Sequence, residues 1–333
     1  MKLSLLACLF AIFFSCKKKN EPVLAPSPGT PPPVETSSIF SGRRGHVVVE
    51  FNEKLWLVGG ATYQEYKNDV WSSRDGIKWE LEMEHAAFSP RIGHQIVKQN
   101  NKLWLMGGHG GTANDIWSSV DGRNWVFETS NATFLARGGH QVVVFNNKFW
   151  ANGGITGVEN GFFVGFSSDI WTSADGKKWE LSSTVPFEGC FGHNVVNFKG
   201  KLWFIAGFPA ENGEVWSSDD GNSWKLQVAK PGFGFRNVPS VVVYKEELWL
   251  IGGHTMDAPF GGRKNDVWSS PDGISWKQRT ASAVFSPRVE HKTVVFKDTM
   301  FLIGGDSGNK RAVDELKNDV WFSTTGIDWN KAR

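Results

Sequence analysis

Apolar positions along this chain fall in short runs, not at helical spacing. "HVVVEF" (46–51) and "KLWLV" (54–58) are parted by a two-residue turn, "NE". A third run, "DVWSS" (69–73), leads through a tight Asp-Gly turn to a fourth centred on Trp79. Short length, β-branched and aromatic enrichment and turn residues at fixed offsets predict strands. In "VVV" and "LWLV" both alternating positions are apolar. A sheet with one wet face would alternate, so each of these sheets is covered on both faces.

The four-run unit then returns. "NDVWSSRDGIKW" (68–79) is followed by "NDIWSSVDGRNW" (114–125), "SDIWTSADGKKW" (168–179), "GEVWSSDDGNSW" (213–224), "NDVWSSPDGISW" (265–276) and "NDVWFSTTGIDW" (318–329). Upstream of each stands a run like "RRGHVVVEFNEKLWLVGG" (43–60) or "RIGHQIVKQNNKLWLMGG" (91–108). All 17 tryptophans fall in three columns of this repeat, headed by Trp56, Trp71 and Trp79, with Phe301 in the one vacant place. Four strands per unit, a period of about fifty residues and two covered faces predict an all-β, six-bladed β-propeller of four-stranded antiparallel blades.

At these residues the sequence resembles the kelch-repeat family: Arg and His ahead of the first strand's valines, a double glycine closing the second, then "NDVW" and a later Trp. The likeness covers nearly all of 43–333, with blades at about 43–85, 91–128, 137–182, 189–227, 236–279 and 288–331. It departs at Cys190, Ala206 and Glu214 in the fourth unit, Pro239 in the fifth and Thr325 in the sixth. No blade is visibly split between the chain's ends, although "SSIF" (37–40) is placed to contribute to closure. "SSDDGNSW" (217–224) also resembles the Asp-box hairpin of sialidases. An Asp that caps its own turn, a Gly at positive φ and a Trp packed beneath explain that motif structurally.

Composition narrows the field. A formal charge of +2 with 21% charged residues is nearly balanced, which argues against a nucleic-acid partner. Residues 1–15, "MKLSLLACLFAIFFS", hold an apolar run too short to span a bilayer and read as a secretory signal. Cys16 follows it, and "FFSC" resembles a bacterial lipobox, so Cys16 is expected to carry lipid and tether the chain in the cell envelope. Residues 16–42 are proline-rich and read as a semi-rigid spacer. Cys8 leaves with the signal, so Cys190 remains as a single thiol and no internal disulfide is expected.

Candidate chemistry sits in two columns and in the loops. His46, His94, His140, His193 and His291 lie one per blade, whereas zinc needs several ligands at one point. They are expected to be hydrogen-bonded structural residues, with no metal and no cofactor. Arg43, Arg91, Arg137, Arg236 and Arg288 precede the first strands and are expected to gather at one mouth of the channel as anion receptors. The competing role is pairing with Asp69, Asp115, Asp169, Asp266 and Asp319, across two strand spacings of about 9.6 Å. Glu290, His109 and His254 break the repeat near this mouth, and Phe162, Phe163, Phe166 and Phe260 lie in its long loops. The expected function is non-enzymatic binding of an anionic, glycan or peptide ligand by a monomer. The alternative is a carbohydrate-active enzyme of the sialidase or sialic-acid epimerase kind.

Overall fold

The computed structural model describes residues 39–109, 114–130, 132–159, 162–185, 189–208, 212–256, 262–308 and 315–332. The signal, Cys16, the spacer up to residue 38 and Phe260 lie outside these. The described residues contain strands and turns but no helix, in six four-stranded sheets and one two-stranded hairpin. Blade 1 is β1 (Val47–Phe51), β2 (Lys54–Ala61), β3 (Tyr66–Ser73) and β4 (Glu80–Met83), paired antiparallel in that order. The other five repeat this order, and the first strands of neighbouring blades contact one another around a central axis. The fold is a six-bladed β-propeller.

Local chemistry sets each hairpin. The turn from β1 to β2 places Asn52 and Glu53 at φ 50° and 59°, the mirror-image turn whose twist matches paired strands. At the β3–β4 turn, Asp75 Oδ1 accepts the backbone N–H groups of Ile77 and Lys78, each at 2.8 Å. In blade 6, Thr325 takes that role through its hydroxyl, at 3.1 and 3.0 Å. These contacts favour ionised carboxylates: backbone donation from Ser223 is the leading cause that brings Asp220 down to about 2.

The same turn also locks blade to blade. A Cβ on Gly122 would come within 2.4 Å of the Trp56 ring in the preceding blade, and one on Gly273 within 2.4 Å of Trp203. Each turn glycine therefore lies flat on the first-column aromatic of its neighbour. The twelve-residue motif is a structural part.

Ring closure takes in more chain than the 43 boundary suggests. Phe40 is fully buried, edge-on to Trp71 and Trp79 at 6.3 and 5.5 Å. Phe88, in the connection between blades 1 and 2, meets Trp117 and Trp125 in the same way, at 6.4 and 5.5 Å. Blade 6 supplies all four of its own strands, so closure exchanges none.

Candidate functional site

The arginine column does not form an open receptor. Arg43, Arg91, Arg137, Arg236 and Arg288 are at most 2% exposed. Arg91 donates to Asp115 Oδ1 and Oδ2 at 2.7 and 2.8 Å, to the Gly107 carbonyl at 2.9 Å, and to Ser89 O and Oγ at 3.0 and 2.9 Å. Those bonds use all five N–H donors of the guanidinium. Arg43, Arg137 and Arg288 make the same paired contacts with Asp69, Asp169 and Asp319, and Arg236 bonds Asp266. The expectation of anion receptors at the mouth is corrected. Two strand spacings do not stretch the pairs, because an extended arginine reaches over the second strand and binds its carbonyl on the way. The aspartate also accepts the second-column indole, as Asp115 does from Trp117 at 2.8 Å. In blade 4, where Cys190 replaces Arg, the Glu214 carboxylate keeps the indole contact, with Trp216 at 3.0 Å, and no arginine among the described residues. Burial raises the pKa of Cys190, so its thiol is inert at neutral pH.

The histidines differ from expectation in another way. All five are at most 3% exposed, yet among the described residues no ring nitrogen has a hydrogen-bond partner in good geometry. The rings of His94, His193 and His291 approach the backbones of Val58, Asn152 and Ile251 without completing a bond. Burial keeps the column neutral, with His140, His193 and His291 brought down to about 3. Among the described residues no group of three or more His, Cys, Asp or Glu is arranged to hold a metal ion.

The mouth itself holds a cavity of about 340 Å³ on the axis, lined from every blade. Its floor is the residue that follows the column histidine in four of the blades, at the start of the innermost strand: Gln95, Gln141, Asn194 and Lys292. Its rim is the residue that precedes each histidine, always at positive φ. In blades 1 to 4 this is Gly45, Gly93, Gly139 and Gly192, at φ 58° to 68°. Blade 5 places Val238 there at 47° and blade 6 places Glu290 at 53°. A β-branched or acidic side chain in that region costs roughly 1–3 kcal/mol, and such strain concentrates at functional sites. The rim residues are chained by backbone bonds, Gly93 to Gly45 at 3.1 Å and Gly139 to Gly93 at 2.9 Å among them.

Charge in the cavity is one-sided. Glu290 meets Arg44 at 3.5 Å, and both line the cavity. Lys292 lines it too, and among the described residues its side chain makes no ion pair or hydrogen bond. Burial lowers its pKa, and the field of Glu290 offsets only part of that. The side chain keeps some accessible surface through the open cavity, so the effect is smaller than for a sealed lysine. Lys292 in turn helps to lower His46, His94 and His291, which places its charge among blades 6, 1 and 2.

The opposite side adds an apolar wall above Gln141 and Asn194. The hairpin of β11 (Ile155–Glu159) and β12 (Phe162–Phe166) rises from blade 3. Phe166 stacks on Phe191 at 5.3 Å, and Phe208 packs against both. Phe191 reaches the cavity, together with Ile92 and Ile155. Phe162 and Phe163 stand on β12. His109 lines the cavity and burial lowers its pKa, whereas His254 is half-buried beside Asn237, with which it exchanges backbone hydrogen bonds. Of the expected residues, the structure brings Glu290 and His109 into the cavity, with Phe166 behind its wall. The sequence reading missed Lys292, Arg44 and the amides, because it searched columns of identical residues. The available signal was a column of unlike polar residues: Gln95, Gln141, Asn194, Ser240 and Lys292 after Val47.

No family model matches the chain, and no curated protein matches it. Among solved structures it is similar to one titled "Structure of YjhT", with a TM-score of 0.68 over 88% of this chain and 98% of that one. At 14% sequence identity the likeness shows a shared β-propeller fold.

Proposed function

We propose that this propeller is a non-enzymatic binding module that takes a small organic anion, such as an acidic sugar or a peptide carboxylate, into its axial cavity. One observation carries the reading: Lys292 stands in the cavity with no ion-pair partner among the described residues, and the same cavity is lined by two side-chain amides, Gln95 and Gln141, that make no hydrogen bond among those residues. An enclosed ammonium that Glu290 offsets only in part is a cost in the empty protein that a bound carboxylate relieves. The apolar wall of Ile92, Ile155 and Phe191 suits the ligand's body, and a cavity of this size suits a small molecule better than a folded partner. The kelch-like repeat supports the same reading, since that family uses this mouth for binding.

The test is Lys292→Met, followed by calorimetry with acetate, lactate and glucuronate. Losing a charge-assisted contact of about 1.5–3 kcal/mol weakens binding roughly ten- to a hundredfold. The same variant is expected to be as stable as the parent or more so, because it removes an unpaired enclosed charge. Unchanged affinity, or a less stable variant, rejects Lys292 as the anchor.

Cys16 is proposed to tether the propeller to an envelope membrane through lipid, with Lys17, Lys18 and Lys19 next to the surface. Cys16→Ala is expected to move the protein from the membrane fraction to the soluble fraction. Retention in the membrane fraction rejects the lipid anchor.

A further inference from the structure

We infer that Lys292 is also a covalent site: its amine forms a reversible imine with a small anion that carries an aldehyde or ketone, a 2-oxo acid being the simplest class. This rests on the anion-binding reading and names a reaction that the reading alone does not require.

Three observations bring the chemistry together. Lys292 opens onto a cavity of about 340 Å³, with room beside the amine for a ligand. Among the described residues no carboxylate holds its nitrogen in an ion pair, so the lone pair is free once the proton leaves. Glu290, two residues earlier in the chain, lines the same cavity and acts on the amine electrostatically. Glu290 is held in a strained backbone conformation, φ 53°, at a position that four of the other blades give to glycine. Val238 shares that strain in blade 5, but of the two only Glu290 brings an ionisable side chain to the cavity. An amine in a desolvated pocket with an acid–base partner is the arrangement that activates lysine as a nucleophile. Burial favours the neutral amine, while Arg44, Glu290 and the neutral rings of His46, His94 and His291 are the titratable groups around it.

The step balances without an oxidant or reductant. The Nζ lone pair of the neutral amine attacks the carbonyl carbon, a C–N bond forms and the carbonyl π bond opens. The nitrogen gives up both hydrogens, which leave with the carbonyl oxygen as water, and C=N replaces C=O. In this step Glu290 is the acid–base partner: it takes one proton from the Lys292 ammonium at the start, which frees the lone pair, and returns that proton to the imine nitrogen at the end. The protonated imine keeps the positive charge at the same point, so a carboxylate held by Arg44 and the Gln95 and Gln141 amides remains balanced.

The experiment uses full-length protein with pyruvate or glyoxylate and cyanoborohydride, which fixes an imine as a secondary amine, followed by peptide mapping. Lactate, which has no carbonyl, is titrated in parallel. The expected result is modification of Lys292 ahead of every other lysine, and loss of that adduct in Lys292→Arg. Mapping the unmodified sequence needs no variant, so a folding failure of Lys292→Arg leaves the result readable. Lactate binding without an adduct at Lys292, or labelling spread evenly over surface lysines, overturns the imine and leaves the anion reading standing. No binding of lactate and no adduct overturns both.

Discussion

Arg91→Ala is expected to lower the free energy of unfolding by about 3–5 kcal/mol, the cost of stranding one partner of a buried ion pair. Urea denaturation followed by tryptophan fluorescence measures it. Asp115 is 4% exposed, and after the substitution its carboxylate would keep, among the described residues, only the Trp117 indole as a side-chain donor. The Gly107 carbonyl and the Ser89 oxygens would lose their donor in the same step. Removing Asp115 as well, in Arg91→Ala with Asp115→Ala, is expected to restore part of the loss, because no charge is then left buried. Blade 4 supports that expectation: with Cys190 and Glu214 in place of Arg and Asp it still forms its four-stranded sheet. The pair therefore fixes geometry more than it drives folding. Arg91 does not line the cavity, so the test also separates structure from recognition. An Arg91→Ala protein of unchanged stability that no longer binds small anions would return the arginine column to the role the sequence suggested.

How far the sequence was legible follows from what repeats. Strand order, blade number and the structural part played by the Asp-turn motif come from positions that every blade fills alike. Packing demands the same residue wherever the same contact recurs, as where each turn glycine lies on a neighbouring aromatic ring. The site was harder to read because it has one copy. Lys292 and Glu290 bring charge to columns that are otherwise uncharged, and a departure has no periodicity to announce it. The arginines misled for the opposite reason. Six-fold repetition makes a column look like a ring around the axis, but the side chains run sideways within each blade to an aspartate. Distance between strands was the wrong measure there. The reach of an extended guanidinium was the right one. The histidines were legible as structural but not as lacking hydrogen bonds, since the sequence gives residue type and not ring orientation.

Phe40→Ala is expected to cost about 3–5 kcal/mol, the range for removing a fully buried phenylalanine, and to open the ring at one place. Five of the blade interfaces are crossed by the chain itself, while that between blades 6 and 1 is held only by non-covalent contacts. Its bonds copy the others: Arg43 N–H to Lys317 O at 3.1 Å, where Arg91 N–H meets Lys67 O at 3.0 Å. Gly305 N–H to Arg43 O at 2.9 Å likewise matches Gly60 N–H to Arg91 O at 2.9 Å. Phe301 there packs under Gly76, as Trp56 does under Gly122. Phe40 fills the core of this seam with Val48, Leu57, Ile303 and Val320. Phe88→Ala removes the same ring from the next interface, where the peptide link keeps the blades together after the contact is lost. The two variants should therefore lose similar stability but differ in how they open. Hydrogen exchange should rise first in β1 and in β25 (Leu316–Ser323) for Phe40→Ala, with blade 3 protected, and should rise less selectively for Phe88→Ala. Equal exchange profiles in both variants would mean that the seam is no weaker than the linked interfaces, and that Phe40 serves as core without serving as a clasp.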